Sequence, residues 1–206
     1  VIQEEAALAE CYSHLGEGNP LCTLPSLQED DKSLRGFQFL SLKPMMILVN
    51  SSEEDFQKPD SVLAGITGAL PPNAAALAAC VKLEAELAFM ERAEQEAFME
   101  EYGIKESLRG RIIRLAMDTL GLISFFTVGD DECRAWPIPR GSSAQEAAGA
   151  IHTDLAQKFI RAETVSYDDF MAHNGIGGCK KLGLWRLEGK TYTVKDGDIL
   201  TIRAGA

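Results

Sequence analysis

The run Met45-Met46-Ile47-Leu48-Val49, set between Pro44 and the polar cluster Asn50-Ser51-Ser52-Glu53, constrains the fold more than any other stretch. An apolar run this short, bounded by proline and polar residues, suits a buried strand. In open α/β sheets, ligands bind beyond the carboxyl ends of the strands. Asn50 and Glu53 are therefore placed where a ligand is read. A side-chain amide there can both donate and accept, as the edge of a nucleobase requires.

Before that strand, Val1 to Gly16 reads as a helix with Ile2, Ala6, Leu8, Ala9 and Tyr12 on one face. Residues 17–25 read as a loop. A second helix is expected from Ser26, with Glu29 closing a capping box and Leu27, Leu34, Phe37 and Leu40 forming its stripe. After the strand come a polar loop to Asp60 and a short helix that Pro71-Pro72 must end. Ala75 to Val81 is read as a second buried strand. Glu84 to Tyr102 and Ser107 to Leu120 are expected helices, each followed by glycine.

From Leu122 the texture changes. Strands are expected around Phe125–Thr127 and Glu132–Ile138, then a helix from Ala144 to Phe159 capped by Ser142 or Ser143. A strand at Arg161–Val165, a short helix at Tyr167–His173 and a glycine-rich loop from Gly175 to Gly183 follow. Three short strands close the chain: Leu184–Leu187, Tyr192–Val194 and Ile199–Arg203. The expectation is an α/β unit followed by a small α+β domain, with the boundary near Gly121. The stretch EGKTYTVKDGDILTIR is expected to be the closing hairpin of a β-grasp, ubiquitin-like fold.

The net charge of −11 is uneven. Residues 1–120 carry 20 acidic and 10 basic side chains, and residues 121–206 carry 11 and 10. The acidic part is a poor partner for a phosphate backbone, so DNA is not expected as a ligand. No apolar run approaches the roughly 18 residues that span a membrane, so no membrane partner is expected. The opening VIQEEAALAE lacks the features of a secretory leader, and the missing initial Met suggests a fragment, a processed chain or an artificially excised piece. Five cysteines, an odd number with no CxxC pair, argue against a disulfide framework or zinc site and fit a reducing cytoplasm. Cys133 and Cys179 read as packed thiols. The three histidines lack metal-ligand spacing, and no metal site is expected. His152 reads as a structural residue within its helix. Phe89, Met90, Phe98 and Met99 read as helix-packing residues.

Gly189-Lys190-Thr191 imitates a phosphate-binding loop, but the required first glycine falls on Leu184. The sequence then alternates as TYTV where a helix N-terminus should meet the phosphates. No such loop occurs in the 206 residues.

Several blocks together carry a resemblance: LRGFQFLSLKPMMILVN, EAEL, FFTVGDDECRAWPIPRGSSAQEAAGAIHTDLAQKFIRAETVSYDDF and LWRLEGKTYTVKDGDI. From about Asn19 onward the chain resembles the Obg-like ATPase (YchF-type) family, relatives of the P-loop GTPases. The resemblance implies a helical arm remnant over 1–43, the C-terminal part of a P-loop nucleotide-binding domain over 44–120, and a β-grasp TGS domain over 121–206. It implies ATP, in preference to GTP, with Mg in the complete protein. Guanine-specific relatives read Asn-Lys-x-Asp where this chain reads Asn50-Ser51-Ser52-Glu53. Carried over by resemblance, Asn50, Ser51 and Glu53 contact the base, and Cys80, Val81 and Lys82 form the adjoining loop. The family's phosphate loop, magnesium-binding and switch segments are not among these residues. The parent is therefore expected to be an ATPase while this chain alone is inactive. Ribosome association is implied too, with Arg134, Arg140, Lys158, Arg161, Lys180, Lys181 and Arg186 as candidate contacts to ribosomal RNA. The alternative is a non-catalytic RNA- or protein-binding TGS module. Oligomeric state is not legible.

Overall fold

The computed structural model describes residues 2–27, 34–129 and 131–205. The chain divides into two compact units, Val1–Thr119 and Leu120–Ala206.

The first unit opens with α1 (Ile2–Gly16). Its inward stripe is Ala7, Leu8 and Cys11, packed with Leu21, Leu24 and Leu34. Tyr12, expected inside, is 82% exposed, because Cys11 lies at the right angle from Ala7 and Leu8 to share their face and Tyr12 is turned 100° away. Among the described residues of the expected second helix, two single 3-10 turns form instead, Arg35–Phe37 and Leu40–Leu42. The proposed cap partner Glu29 lies outside the described residues. Leu34 is buried while Leu40 is exposed, so the stripe does not persist at helical spacing.

A βαβ unit follows: β1 (Met45–Asn50), α2 (Pro59–Thr67) and β2 (Ala74–Ala79). Pro59 begins α2, where its missing N–H costs nothing. The strands are parallel and in register from Met45↔Ala74 to Asn50↔Ala79. Asn73 Nδ2 donates to the Lys43 carbonyl at 2.8 Å and ties the two strand entrances together. The strand is present but is not buried as expected: Met45, Met46 and Leu48 are 38–42% exposed. Among the described residues β1 pairs only with β2, so its second edge and part of its faces stay open.

The helix expected over Glu84–Tyr102 is two, α3 (Val81–Phe89) and α4 (Arg92–Glu101). Met90 is extended, and Glu91 with Glu94 forms a capping box that starts α4. Leu83 and Leu87 are the buried residues of α3, whereas Phe89, expected to pack, is 92% exposed. Phe98 stacks on Tyr102 with centroids 4.4 Å apart. Then comes α5 (Leu108–Thr119). Glu84 Oε1 accepts from the Leu108 N–H at 3.1 Å, and Arg111 donates to the Ala78 carbonyl at 3.1 Å. These bonds fasten α3 and α5 to the end of β2.

The second unit contains β3 (Leu122–Val128), β4 (Cys133–Pro139), α6 (Ala144–Ile151), α7 (Thr153–Gln157), β5 (Phe159–Ser166), α8 (Tyr167–Ala172), α9 (Ile176–Lys181), β6 (Arg186–Glu188) and β7 (Asp198–Ala204). The sheet order is β4-β3-β7-β5-β6. β3 and β7 are parallel, and the other neighbours are antiparallel. One core joins Ile123, Phe125, Ile138, Phe159, Ala162 and Leu200 to Ala144, Ala147 and Ala148 of α6. A second joins Val165, Cys179 and Ile199 to Phe126, Phe170 and Trp185.

Several expectations change here. The helix from Ala144 breaks at His152, which is extended and whose Nδ1 accepts the Asp154 N–H at 3.2 Å to cap α7. His152 sits at a helix junction and not mid-helix. The glycine-rich stretch contains α9, entered through Gly175 at φ 88° and anchored by buried Cys179. A side chain at Gly178 would drive into the His173 carbonyl. Cys133, expected to be packed, is exposed. Tyr192–Val194 forms only an isolated bridge from Thr193 to Ser143, because Tyr192 O and Val194 N bond to residues 144 and 142 at the start of α6. The closing hairpin does not form either: β5 and β7 are neighbours, and β6 pairs with the far side of β5.

Glu163 on β5 accepts two bonds from Arg203, at 3.0 and 3.2 Å, and one from Trp185 at 3.2 Å. Arg203, followed by the Trp185 N–H, holds its carboxyl below the ordinary value of 4.5 against an opposing effect of burial. A depressed folded-state pKa contributes stability above the unfolded value and loses it as pH falls through the folded one. Urea midpoints followed by tryptophan fluorescence are expected to fall between pH 7 and pH 3, and to fall less in Glu163→Gln. Both tryptophans, Trp136 and Trp185, lie in this unit. An equal fall in the variant would remove Glu163 as the source.

Candidate functional site

The parallel register of β1 and β2 brings their carboxyl ends level, with Asn50 opposite Ala79. Both loops that leave the strands therefore emerge side by side, as in other α/β ligand sites. Asn50 Oδ1 accepts the Val81 N–H at 3.1 Å. A backbone N–H only donates, so this bond fixes which way the amide faces. The Asn50 amide nitrogen is left as the donor of the pair. Ser51 continues the ladder, its N–H bonded to the Ala79 carbonyl at 2.9 Å. Its backbone N–H is consequently spent, and its Oγ is enclosed with no protein hydrogen-bond partner.

Cys80 is 1% exposed and stands at the N-cap of α3 without a side-chain bond. Burial there holds the chain where Val81 can meet Asn50. Lys82, in the first turn of α3, places Nζ 2.6 Å from Glu53 Oε1. Glu53, followed by Glu86, raises the Lys82 pKa above 10.5. The six residues Asn50, Ser51, Glu53, Cys80, Val81 and Lys82 thus lie together around two adjoining loops. The Lys82–Glu53 pair is the contact that sequence reasoning missed. The register could have found it, since each residue lies three positions beyond one of the paired residues Asn50 and Ala79. Among the described residues no group of three or more His, Cys, Asp and Glu is placed to hold a metal ion.

The seven candidate RNA-contacting cations do not share one strand or edge. Arg134 lies on β4, with Arg140 just beyond its end, whereas Arg186 lies on β6. These strands are opposite edges of the sheet, about 19 Å apart at ordinary strand spacing. Lys180 and Lys181 belong to α9, Lys158 ends α7, and Arg161 is on β5. Arg134 sits 4.3 Å over the Trp136 ring and Lys180 5.3 Å from the Trp185 ring. Arg186 bonds Glu188 and Tyr192.

A two-stranded parallel βαβ unit with an Asn-x-x-Glu loop, followed by a five-stranded mixed sheet, defines an α/β protein. The family model YchF-GTPase_C, described as "Protein of unknown function (DUF933)", matches residues 122–205. The chain is 38% identical over 197 residues to "Ribosome-binding ATPase YchF" of Escherichia coli O157:H7, covering 96% of this chain and 54% of that protein. It is also 38% identical over 187 residues to the protein of the same name from Bacillus subtilis (strain 168), covering 89% and 51%. The solved "Structure of the Schizosaccharomyces pombe YchF GTPase" superposes with a TM-score of 0.80 at 27% identity, over 98% of this chain and 54% of that one. Residues 122–205 thus match the C-terminal YchF family model, and most of the chain is similar to YchF proteins. It spans about half the length of the curated relatives it matches.

Proposed function

We propose that residues 44–120 carry the base-recognition edge of a purine-nucleotide site, in a YchF-type protein that hydrolyses ATP in preference to GTP and associates with the ribosome in the cytoplasm. The observation that carries this reading is the Asn50 side chain, whose oxygen is held by the Val81 N–H so that its amide nitrogen remains as a donor. A fixed donor suits the N7 acceptor that both purines present. The names of the relatives support the ATPase and ribosome parts of the reading.

Hydrolysis needs phosphate positioning and charge stabilisation, with Mg among the groups that supply it. No phosphate-binding loop occurs in these 206 residues, so the chain by itself is proposed to bind nucleotide weakly and turn none over. The second unit is proposed to be a β-grasp TGS domain. Numbered within that unit, its sheet order is 2-1-5-3-4 with the outer pair of the sequence, β3 and β7, parallel at the centre, which supports a ubiquitin-like reading. Residues 1–43 are proposed to be the end of a helical arm.

Titration calorimetry with ATP and GTP tests the base-recognition reading. The chain is expected to bind at least one purine nucleotide at millimolar concentration, and Asn50→Ala to weaken it by about tenfold or more through loss of the amide donor. Absence of binding at millimolar nucleotide, or an unaltered affinity in the variant, would overturn it. Binding to ribosomes that weakens steeply with salt would support the partner assignment.

A further inference from the structure

We infer that Lys82 is a specificity determinant of the purine site: by holding Glu53 it denies the site the two-oxygen carboxylate that guanine recognition uses. This rests on the base-recognition reading above. The two side chains reach each other from separate loops, Glu53 beyond β1 and Lys82 in the first turn of α3, and meet at 2.6 Å.

Lys82 is 69% and Glu53 44% exposed as side chains, and an ion pair this open to water does little for stability. Its effect at the site is of another kind. A free carboxylate accepts at both oxygens, and guanine presents two neighbouring donors, N1–H and the N2 amino group, that such a carboxylate binds together. With the ammonium on Oε1, one oxygen remains unshared and the negative charge is balanced. Guanine's two donors then meet a carboxylate whose charge is balanced and one of whose oxygens is shared with the ammonium.

Adenine is affected differently. Its N6 amino group needs only a single acceptor. N7 is common to both bases, so Asn50 does not discriminate between them. Discrimination therefore falls on the ion pair.

The test is competitive binding of ATP and GTP to the whole chain and three variants, by calorimetry. Lys82→Met frees Glu53 and is expected to shift the ATP-to-GTP affinity ratio about tenfold towards GTP. Lys82→Arg keeps a cation beside Glu53 and is expected to show none of the gain for GTP. Adding Glu53→Gln to Lys82→Met removes the second acceptor and is expected to abolish the gain. Lys82 is exposed, and circular dichroism checks that each variant is folded. An ATP-to-GTP ratio unmoved by Lys82→Met overturns the inference while leaving base recognition intact. Failure of the parent chain to bind either nucleotide at millimolar concentration overturns both.

Discussion

Phe125→Ala is expected to destabilise the C-terminal unit by about 3–5 kcal/mol, the range for removing a fully enclosed aromatic from a core. Phe125 has no exposed surface and lies on β3 among Ile123, Ile138, Phe159 and Leu200, under Ala147 and Ala148 of α6. β3 has neighbours on both sides, and the small α6 residues sit close because the ring fills the space between layers. Truncation leaves a cavity that neither the sheet nor an alanine-faced helix can close by repacking side chains. A domain of this size has about 5–15 kcal/mol in total, so the variant is expected to be partly unfolded at 37 °C. Urea unfolding followed by Trp136 and Trp185 fluorescence measures it. A loss below about 1.5 kcal/mol would show that the core relaxes around the missing ring.

Most of the strands were legible because their patterns are local. Met45–Val49 has one composition and two clear boundaries, and β3 and β4 are marked by aromatic and alternating residues. What escaped the sequence depended on partners. Whether β1 is buried is decided by what lies beside it, which its own residues do not record. The breaks at Met90 and His152 were hidden because helix-forming residues continue on both sides, and a glutamate cap or an imidazole cap is a weaker mark than serine. Glycine normally argues against helix, yet α9 forms because Gly178 permits the close approach to the His173 carbonyl and Cys179 is buried. At the site, residue types pointed to Asn50 and Glu53, while the role of Lys82 required knowing that β1 and β2 are parallel and level.

The segment TYTVKDGD shows how a polar residue can override a strand pattern, and it yields the second large expected effect. Asp198 is 2% exposed, and its Oδ2 accepts the Tyr192 hydroxyl at 2.8 Å and the Lys195 N–H at 2.9 Å. Arg186 donates to the same hydroxyl at 3.3 Å. Burial, then Asp198, pushes the Tyr192 phenol up to about 12, so it remains a donor throughout the physiological range. One carboxylate oxygen thus closes the turn before β7 and draws Tyr192 out of the alternation that its sequence suggests. Asp198→Ala leaves a half-buried phenol and a backbone N–H without their acceptor and is expected to cost about 3 kcal/mol. Asp198→Asn retains an oxygen but loses the charge and is expected to cost about 1–2 kcal/mol, as is Tyr192→Phe. Because the two residues share one bond, the double variant Asp198→Asn/Tyr192→Phe should cost less than the two single losses combined. Strict additivity in that cycle would mean that the carboxylate acts on the turn through Lys195 alone.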